Sequence, residues 1–246
     1  MDITLIIPAF NEEQKIRADI KAACEFFCEQ NLHAEIIIVD DGSQDKTAQA
    51  VLNQIKQSQF ALLKNSTQIK MHLISHEKNL GKGAAVRTGI LASCGRVVIF
   101  VDAGNCVPLS DALNAIRQIN QGKCDIAIGS RKHKDSRIIS KQNFSRQSAS
   151  WCFNKAAKLL TNISRNLTDT QAGFKCFKGD LVRKLFRDCK TTGFVFDIEI
   201  LLRAQQINCT ISEFPITWKR DPDTRLCLKK HWVQIFKELW ALRKLK

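Results

Sequence analysis

Short polar runs carrying carboxylates and bases recur along the chain, each directly after an apolar run. Asp40-Asp41-Gly42-Ser43 follows Ile36–Val39, Asp102-Ala103-Gly104-Asn105 follows Val97–Val101, and Gly129-Ser130-Arg131 closes Ile126–Ile128. Carboxylates at the end of a buried strand can accept hydrogen bonds from the base and ribose hydroxyls of a nucleotide. The plainer reading of Asp40–Ser43 is an Asx turn with a serine helix cap. Asp102, a second strand-terminal acid, shifts the balance toward a nucleotide site. Gly81-Lys82-Gly83 precedes a helical pattern, and a lysine at a helix N-terminus helps to hold diphosphate. Neither Gly-x-x-x-x-Gly-Lys-Ser/Thr nor Gly-x-Gly-x-x-Gly spacing is present, so a tight turn with a solvated lysine is equally compatible. Asp197 and Glu199, within Gly193–Glu199, either orient an acceptor or form a helix-start cap and a solvated face.

The elements that must position these residues follow from periodicity. Five apolar runs, Ile3–Ile7, Ile36–Val39, Met71–Ile74, Val97–Val101 and Ile126–Ile128, alternate with helix-like stretches at Glu12–Gln30, Gln44–Gln57, Ala84–Cys94 and Leu109–Gln121. Strands that are apolar throughout and separated by helices predict a mostly parallel α/β sheet, doubly wound with helices on both faces. Ligands in such sheets bind beyond the carboxyl ends of the strands, where the polar runs lie. The second half differs. Ser136–Thr168 contains no acid, and Lys141–Ile163 reads as a basic helix with Phe144, Trp151, Phe153 and Leu159 interleaved. Leu226–Lys246 carries six bases against Glu238, with Trp232, Phe236, Leu239 and Trp240 at helical spacing. That pattern suits an interfacial membrane helix or a terminal helix packed on the core. No repeat or linker interrupts the chain, so one domain over 1–246 is expected, with parts 1–131, 132–225 and 226–246.

Composition narrows the partners. Among 246 residues, 38 Lys+Arg against 24 Asp+Glu give a net charge of +14, which points to a polyanionic partner. Nucleic acid is the main rival, but no nucleic-acid module is present and strand-end acids do not suit it. The ten cysteines form no Cys-x-x-Cys pair, which disfavours zinc ribbons and thioredoxin-like sites and suits a reducing compartment. No apolar run approaches the ~18 residues of a membrane span. The first strand-like run begins at Ile3 and leaves no room for a signal peptide, so an intracellular protein is expected.

The order of the motifs resembles that of the family 2 glycosyltransferases, which have the GT-A fold. The matching elements are Ile6-Ile7-Pro8-Ala9-Phe10-Asn11-Glu12, Ile38–Ser43, Asn79–Gly83, Phe100–Ala103 and Gly129–Arg131; Asp169-Thr170-Gln171-Ala172-Gly173-Phe174-Lys175 and Phe196–Glu199 resemble the polyprenyl-phosphate sugar transferases, of the dolichyl-phosphate glucosyltransferase or mannose synthase type. The resemblance implies a nucleotide-sugar donor, UDP-glucose or GDP-mannose, held by Pro8, Phe10, Glu12, Asp40, Asp41, Lys82, Asp102 and Ala103. It implies Arg220 and Arg225 in a basic loop closing over that donor, Gln171, Lys175 and Glu199 on the acceptor side, and Asp102, Arg131 and Asp197 as catalytic residues. It further implies Mg2+ or Mn2+ at Asp102 and Asn105. There is one departure: Gly104 stands where the family's Asp-x-Asp has its second acid. Asp102 with the diphosphate, bases acting without metal, or weakened activity each answer that change. A lipid phosphate acceptor is already anionic, with a second pKa of ~6, and needs no strong base. The expected reaction is inverting transfer of a hexose to a polyprenyl phosphate at the cytoplasmic face of a membrane. Attachment there is peripheral or through an anchoring partner. A non-lipid acceptor is the alternative.

Overall fold

In a computed structural model, residues 1–62, 68–140, 153, 155, 157–161, 163–164, 166–221 and 228–245 are described. The helix expected over Lys141–Ile163 falls mostly outside them; residues 157–160 are helical. Arg225 and the side chain of Trp232 also lie outside.

The expected strands form where isoleucine and valine dominate. They are β1 (Ile3–Ala9), β2 (Ala34–Asp40), β3 (Ile69–Ser75), β4 (Val97–Val101) and β5 (Ile126–Ser130). Each runs up to the edge of its polar motif. A further strand, β7 (Phe174–Lys178), inserts between β4 and β5, and β8 (Ile211–Pro215) closes the far edge, giving the order β3-β2-β1-β4-β7-β5-β8. All pairings are parallel except those of β7, which runs antiparallel to both neighbours. This is the expected mostly parallel, doubly wound α/β architecture. β2 is buried at all seven positions, whereas β3, at the edge, alternates toward solvent.

Alternate strand residues feed two cores. Ile3, Leu5 and Ile7 pack with Ile16, Ile20 and Phe27 of α1 (Ile16–Glu29), Val51 of α2 (Thr47–Leu62) and Ile116 of α4 (Ala112–Asn120). Ile6, Val98 and Phe100 face the other side. They pack with Val86 and Ile90 of α3 (Lys82–Ala92), Phe186 of α5 (Gly179–Arg187), Ile198 and Leu201 of α6 (Phe196–Gln206), and Leu239 of α7 (Leu228–Leu242). Burying one such aliphatic side chain contributes about 1.5–3 kcal/mol, so this double set holds the sheet between its two layers of helices. In α7, Ile235, Leu239 and Leu242 face that core, while Phe236 and Trp240 stack outward, their centroids 6.1 Å apart. The expected outward aromatic face thus loses Leu239 to the core.

The reversal of β7 matters most for function. Its first residues lie beside the last residues of β4, with Phe174 opposite Val101. The Asp169–Lys175 run therefore reaches the same edge as the strand-end acids. A small parallel ladder of β6 (Arg137–Ile138) and β9 (Thr217–Trp218) stands apart from the main sheet.

Candidate active site

Lys82 is the first residue of α3. Gly81 before it has φ +101°, and a side chain there would come within 2.5 Å of the Thr192 carbonyl oxygen. Only glycine tolerates that backbone and that approach together. The Lys82 ammonium meets Asp102 Oδ1 at 2.7 Å and lies over the Phe100 ring, 5.3 Å from its centroid. Burial works against this charge, but Asp102 and Asp197 outweigh it and hold the ammonium above its ordinary range. The side chain is still 23% exposed.

Asp102 is set by β7. Its backbone N–H donates to the Gly173 carbonyl at 2.9 Å, and a Cβ on Gly173 would fall 2.0 Å from Asp102 Oδ2. The missing side chain at 173 is what lets the carboxylate stand there. Arg131, after β5, is gripped at both ends of its guanidinium by Asp169: Nε to Oδ2 and Nη2 to Oδ1, each 2.7 Å. Burial opposes both charges, yet the bidentate bond lowers the Asp169 carboxyl and raises Arg131. Arg131 also lies 5.8 Å from the centre of the Trp218 ring. Lys82, Asp102, Arg131 and Asp197 feel one another's charge, so these four expected residues converge.

Several expected residues turn out to be internally engaged. Asp41 Oδ1 accepts from Leu80 N–H and Oδ2 from Gly81 N–H, both at 2.9 Å, and His76 Nδ1 lies 2.8 Å from Oδ1. His76 Nε2 meets Thr88 Oγ1 of α3 at 3.0 Å. Asp41 therefore clamps the turn that aims Lys82. Asp40 accepts from the Ser43 backbone N–H at 3.1 Å and from its hydroxyl, which is the Asx turn. Asp197, 2% exposed, pairs at 2.5 Å with fully buried Lys175, which also donates to the Ala172 carbonyl at 2.6 Å. Burial pushes the Asp197 carboxyl up against the pull of Lys175 and Lys82. Glu199, 1% exposed, accepts from Lys190 and Thr191 N–H groups and from Arg203. It anchors the loop whose Thr192 carbonyl accepts from Ala84 N–H in α3. Gln171 keeps its Nε2 buried without an acceptor among the described residues. Pro8, Phe10 and Ala103 are half-buried at the same edge. Glu12 is buried; its backbone N–H donates to Thr47 Oγ1 at 2.8 Å.

The structure adds residues that spacing did not reveal. Lys15 bridges Glu12 Oε2 and Asp221 Oδ2, each at 2.8 Å. Asp221 in turn faces Gly104, 3.1 Å from where a Cβ would stand. Asp19 accepts from the Gly104 N–H at 2.9 Å; burial pushes its carboxyl up to about 6. Burial first, then the nearby Asp102, Asp221 and Asp19 carboxylates, lift the Cys106 thiol to about 11. The only sequence signal was the Glu12, Lys15, Asp19 helical spacing; nothing local announces a bond from residue 15 to 221. Arg220 follows β9, its N–H bonded to Ser140 Oγ at 2.7 Å.

Among the described residues no three ligating side chains converge to hold a metal. Asn105 has φ +50° and turns its amide toward the Ala18 carbonyl at 3.5 Å. Asp102 remains as an oxygen donor at the rim. One carboxylate with substrate phosphates suits a hard cation that arrives with the donor, whereas a protein-only cage is not what these residues build.

The family model for glycosyl transferase family 2 matches residues 4–186. The chain is 30% identical to a dolichyl-phosphate beta-glucosyltransferase of Dictyostelium discoideum, over 98% of this chain and 73% of that protein. It is 32% identical to the protein of the same name from Saccharomyces cerevisiae, over 98% and 74%. In fold it is similar to glucosyl-3-phosphoglycerate synthase from Mycobacterium tuberculosis in complex with Mn2+, UDP-glucose and phosphoglyceric acid. That likeness has a TM-score of 0.66 at 16% identity, over 100% of this chain and 80% of that one.

Proposed function

The chain belongs to glycosyl transferase family 2, and from that premise we propose that it moves glucose from UDP-glucose to a polyprenyl phosphate of the dolichyl type, with inversion at the anomeric carbon. The observation that carries this reading is the Lys82–Asp102 pair at the N-terminus of α3, with Arg131 locked beside it, in a chain alike along its length to dolichyl-phosphate beta-glucosyltransferases. A phosphate oxygen of the acceptor attacks C1 of the sugar. The bond from C1 to the diphosphate breaks on the opposite side, and nucleoside diphosphate leaves with that electron pair. Lys82, at the positive end of α3, draws the diphosphate charge. Arg131 faces the same charge, held rigid by Asp169. Rigid positioning of both reactants supplies much of the acceleration.

The acids favour a phosphate acceptor over a sugar hydroxyl. A hydroxyl needs a base, and Asp197 and Glu199 are committed to Lys175 and to Arg203 with the 190–191 amides. Lipid phosphate carries its own negative charge. Asp197 then acts by fixing Lys175 and the field around Lys82. Gln171, its Nε2 buried without an acceptor among the described residues, stands on the acceptor side in this reading. In this reading residues 1–131 hold the donor, with Pro8, Phe10, Glu12 and Asp40 toward the nucleoside; 132–225 face the acceptor; and 226–246 form the basic tail. Mg2+ or Mn2+ would be held by Asp102 and the donor's own oxygens, where it neutralises leaving-group charge. The acceptor places the protein at a membrane surface. Among the described residues no helix is long and apolar enough to cross a membrane. In this reading membrane contact is made by a surface such as the exposed Phe236–Trp240 stack, with Arg243 4.1 Å from the Trp240 ring, or through an anchoring partner. The eight described cysteines are all free, which suits the cytoplasmic face.

Radiolabelled UDP-glucose and GDP-mannose, each offered with polyprenyl phosphate with and without Mn2+, test the reading. Label passing from UDP-glucose into the organic phase supports it. Binding of UDP without transfer to any acceptor marks a weakened homologue, the alternative that Gly104 motivates.

A further inference from the structure

The β6–β9 ladder is two residues long on each strand, too short to persist without the rim that carries it. That rim holds it at several points. The ladder's own two bonds, Arg137 N–H to the Ile216 carbonyl and Ile139 N–H to the Trp218 carbonyl, are both 2.9 Å; the attachments to the rim are separate from these. Ser136 Oγ donates to the Ser130 carbonyl at 2.6 Å, one residue before Arg131. Lys219 N–H donates to the Cys106 carbonyl at 2.8 Å, on the loop that follows Asp102. Trp218 completes the link through its contact with Arg131.

The outer side of the ladder is apolar and unusually open. Ile138 is 40% and Ile139 66% exposed. They are the only consecutive pair among the exposed large hydrophobic residues described. Ile138 pairs with Trp218, which is half-buried against the core and Arg131, so the open part of the ladder is its β6 edge at Ile138 and Ile139. Exposed bases lie near the pair in sequence or across the ladder: Lys132, Lys134, Arg137 and Lys219, against Asp135, the single acid within 131–140, and Asp111, which accepts from the Thr217 N–H. An aliphatic edge flanked by bases matches an anionic lipid surface, where apolar side chains enter the acyl boundary and bases meet headgroups. It does not match a protein core or a soluble sugar.

We propose that the β6–β9 ladder is the landing face for the lipid acceptor, with Ile138 and Ile139 against the isoprenoid chain and Lys132, Lys134, Arg137 and Lys219 against anionic headgroups. This rests on the lipid-phosphate reading above and deepens it. The ladder then delivers the acceptor phosphate along Trp218 to Arg131, from the side opposite the donor at Lys82.

The test compares the wild type with an Ile138→Ser/Ile139→Ser double variant and with a Phe236→Ser/Trp240→Ser variant of α7. Flotation with phosphatidylcholine–phosphatidylserine vesicles reads docking. The KM for a long polyprenyl phosphate in those vesicles, and for a water-soluble phosphate with a two-isoprene tail, reads delivery. Each lost aliphatic contact weakens association by about tenfold. Having lost two, the Ile138/Ile139 variant is therefore expected to associate with vesicles about 100-fold more weakly, and to raise the long-chain KM by about tenfold or more. Its UDP affinity by calorimetry and its melting temperature stay those of the wild type. Wild-type flotation and long-chain KM in that variant would overturn the proposal. So would a flotation loss confined to the α7 variant. If the wild type transfers to no acceptor, the transferase reading fails while the flotation comparison still decides whether this face docks on lipid.

Discussion

Gly173→Ala isolates the placement of Asp102 from the rest of the rim. The new methyl group would fall 2.0 Å from Asp102 Oδ2 and 2.3 Å from Cγ, and Cβ contacts under 3.0 Å are essentially never tolerated. The whole carboxyl group must therefore retreat by about 1 Å, because the second short contact is to its carbon and not only to a free oxygen. That movement breaks the 2.7 Å bond to Lys82. Misplacing a reacting group by about 1 Å costs about 100-fold in rate, or about 2.7 kcal/mol. Asp102 is 39% exposed, so it can swing toward solvent without opening a core cavity, and the melting temperature should change little. The assay is kcat/KM for glucosyl transfer, with UDP affinity by calorimetry alongside. Gly122→Ala, where a Cβ would meet nothing within 4 Å but the φ of +69° strains any side chain, controls for losing a glycine away from the rim: it should lower the melting temperature yet keep wild-type activity. A folded Gly173→Ala protein with kcat/KM within about threefold of the wild type would refute the idea that the Lys82–Asp102 geometry drives the reaction.

Three further outcomes are expected. Lys175→Met leaves Asp197 buried without its cation and should cost about 3–5 kcal/mol in urea denaturation; a loss under 1 kcal/mol would show the pair to be dispensable. Asp19 has a folded carboxyl near 6 against an ordinary 3.8, so the folded state holds a proton between those values that the unfolded chain has released. Stability should fall as pH rises from about 4 to about 6, by roughly 3 kcal/mol. Asp19→Asn should remove that slope and raise the melting temperature at pH 7, and an unchanged pH profile would contradict the burial argument. Asp41→Asn offers one oxygen where two now receive the Leu80 and Gly81 amides, so kcat should drop about 10-fold or more through a misaimed Lys82. A change confined to KM for the nucleotide would instead place Asp41 at the donor.

The chemistry that the expected residues perform was only partly visible before folding. Asp197 and Glu199 are acids next to apolar residues, and in sequence a catalytic acid, a cap and a buried ion-pair partner look alike. Burial separates them: each is nearly inaccessible, and each has a partner chosen by the packing of α6 against β7 and the 190–191 loop. Asp41 likewise could not be told from Asp40, although adjacent residues at a strand end point to different sides. Gly104 reads as a lost ligand in sequence. In the fold it has φ +103° with Asp221 before it, so an aspartate restored there would meet backbone strain and a like charge.

What the linear chain determined by itself was the layered plan. Strands buried on both faces must be apolar throughout, and polar residues must follow where they emerge, so the rim was marked wherever an apolar run stopped. Which charges meet at that rim was decided by tertiary structure alone. Asp102 joins Lys82, Arg131 joins Asp169, and Lys15 joins Asp221 across 206 positions, because strand order and the reversed β7 bring those loops together. Short-range spacing governs neighbours along a helix or strand, whereas loop-to-loop contacts are fixed only once both cores have closed.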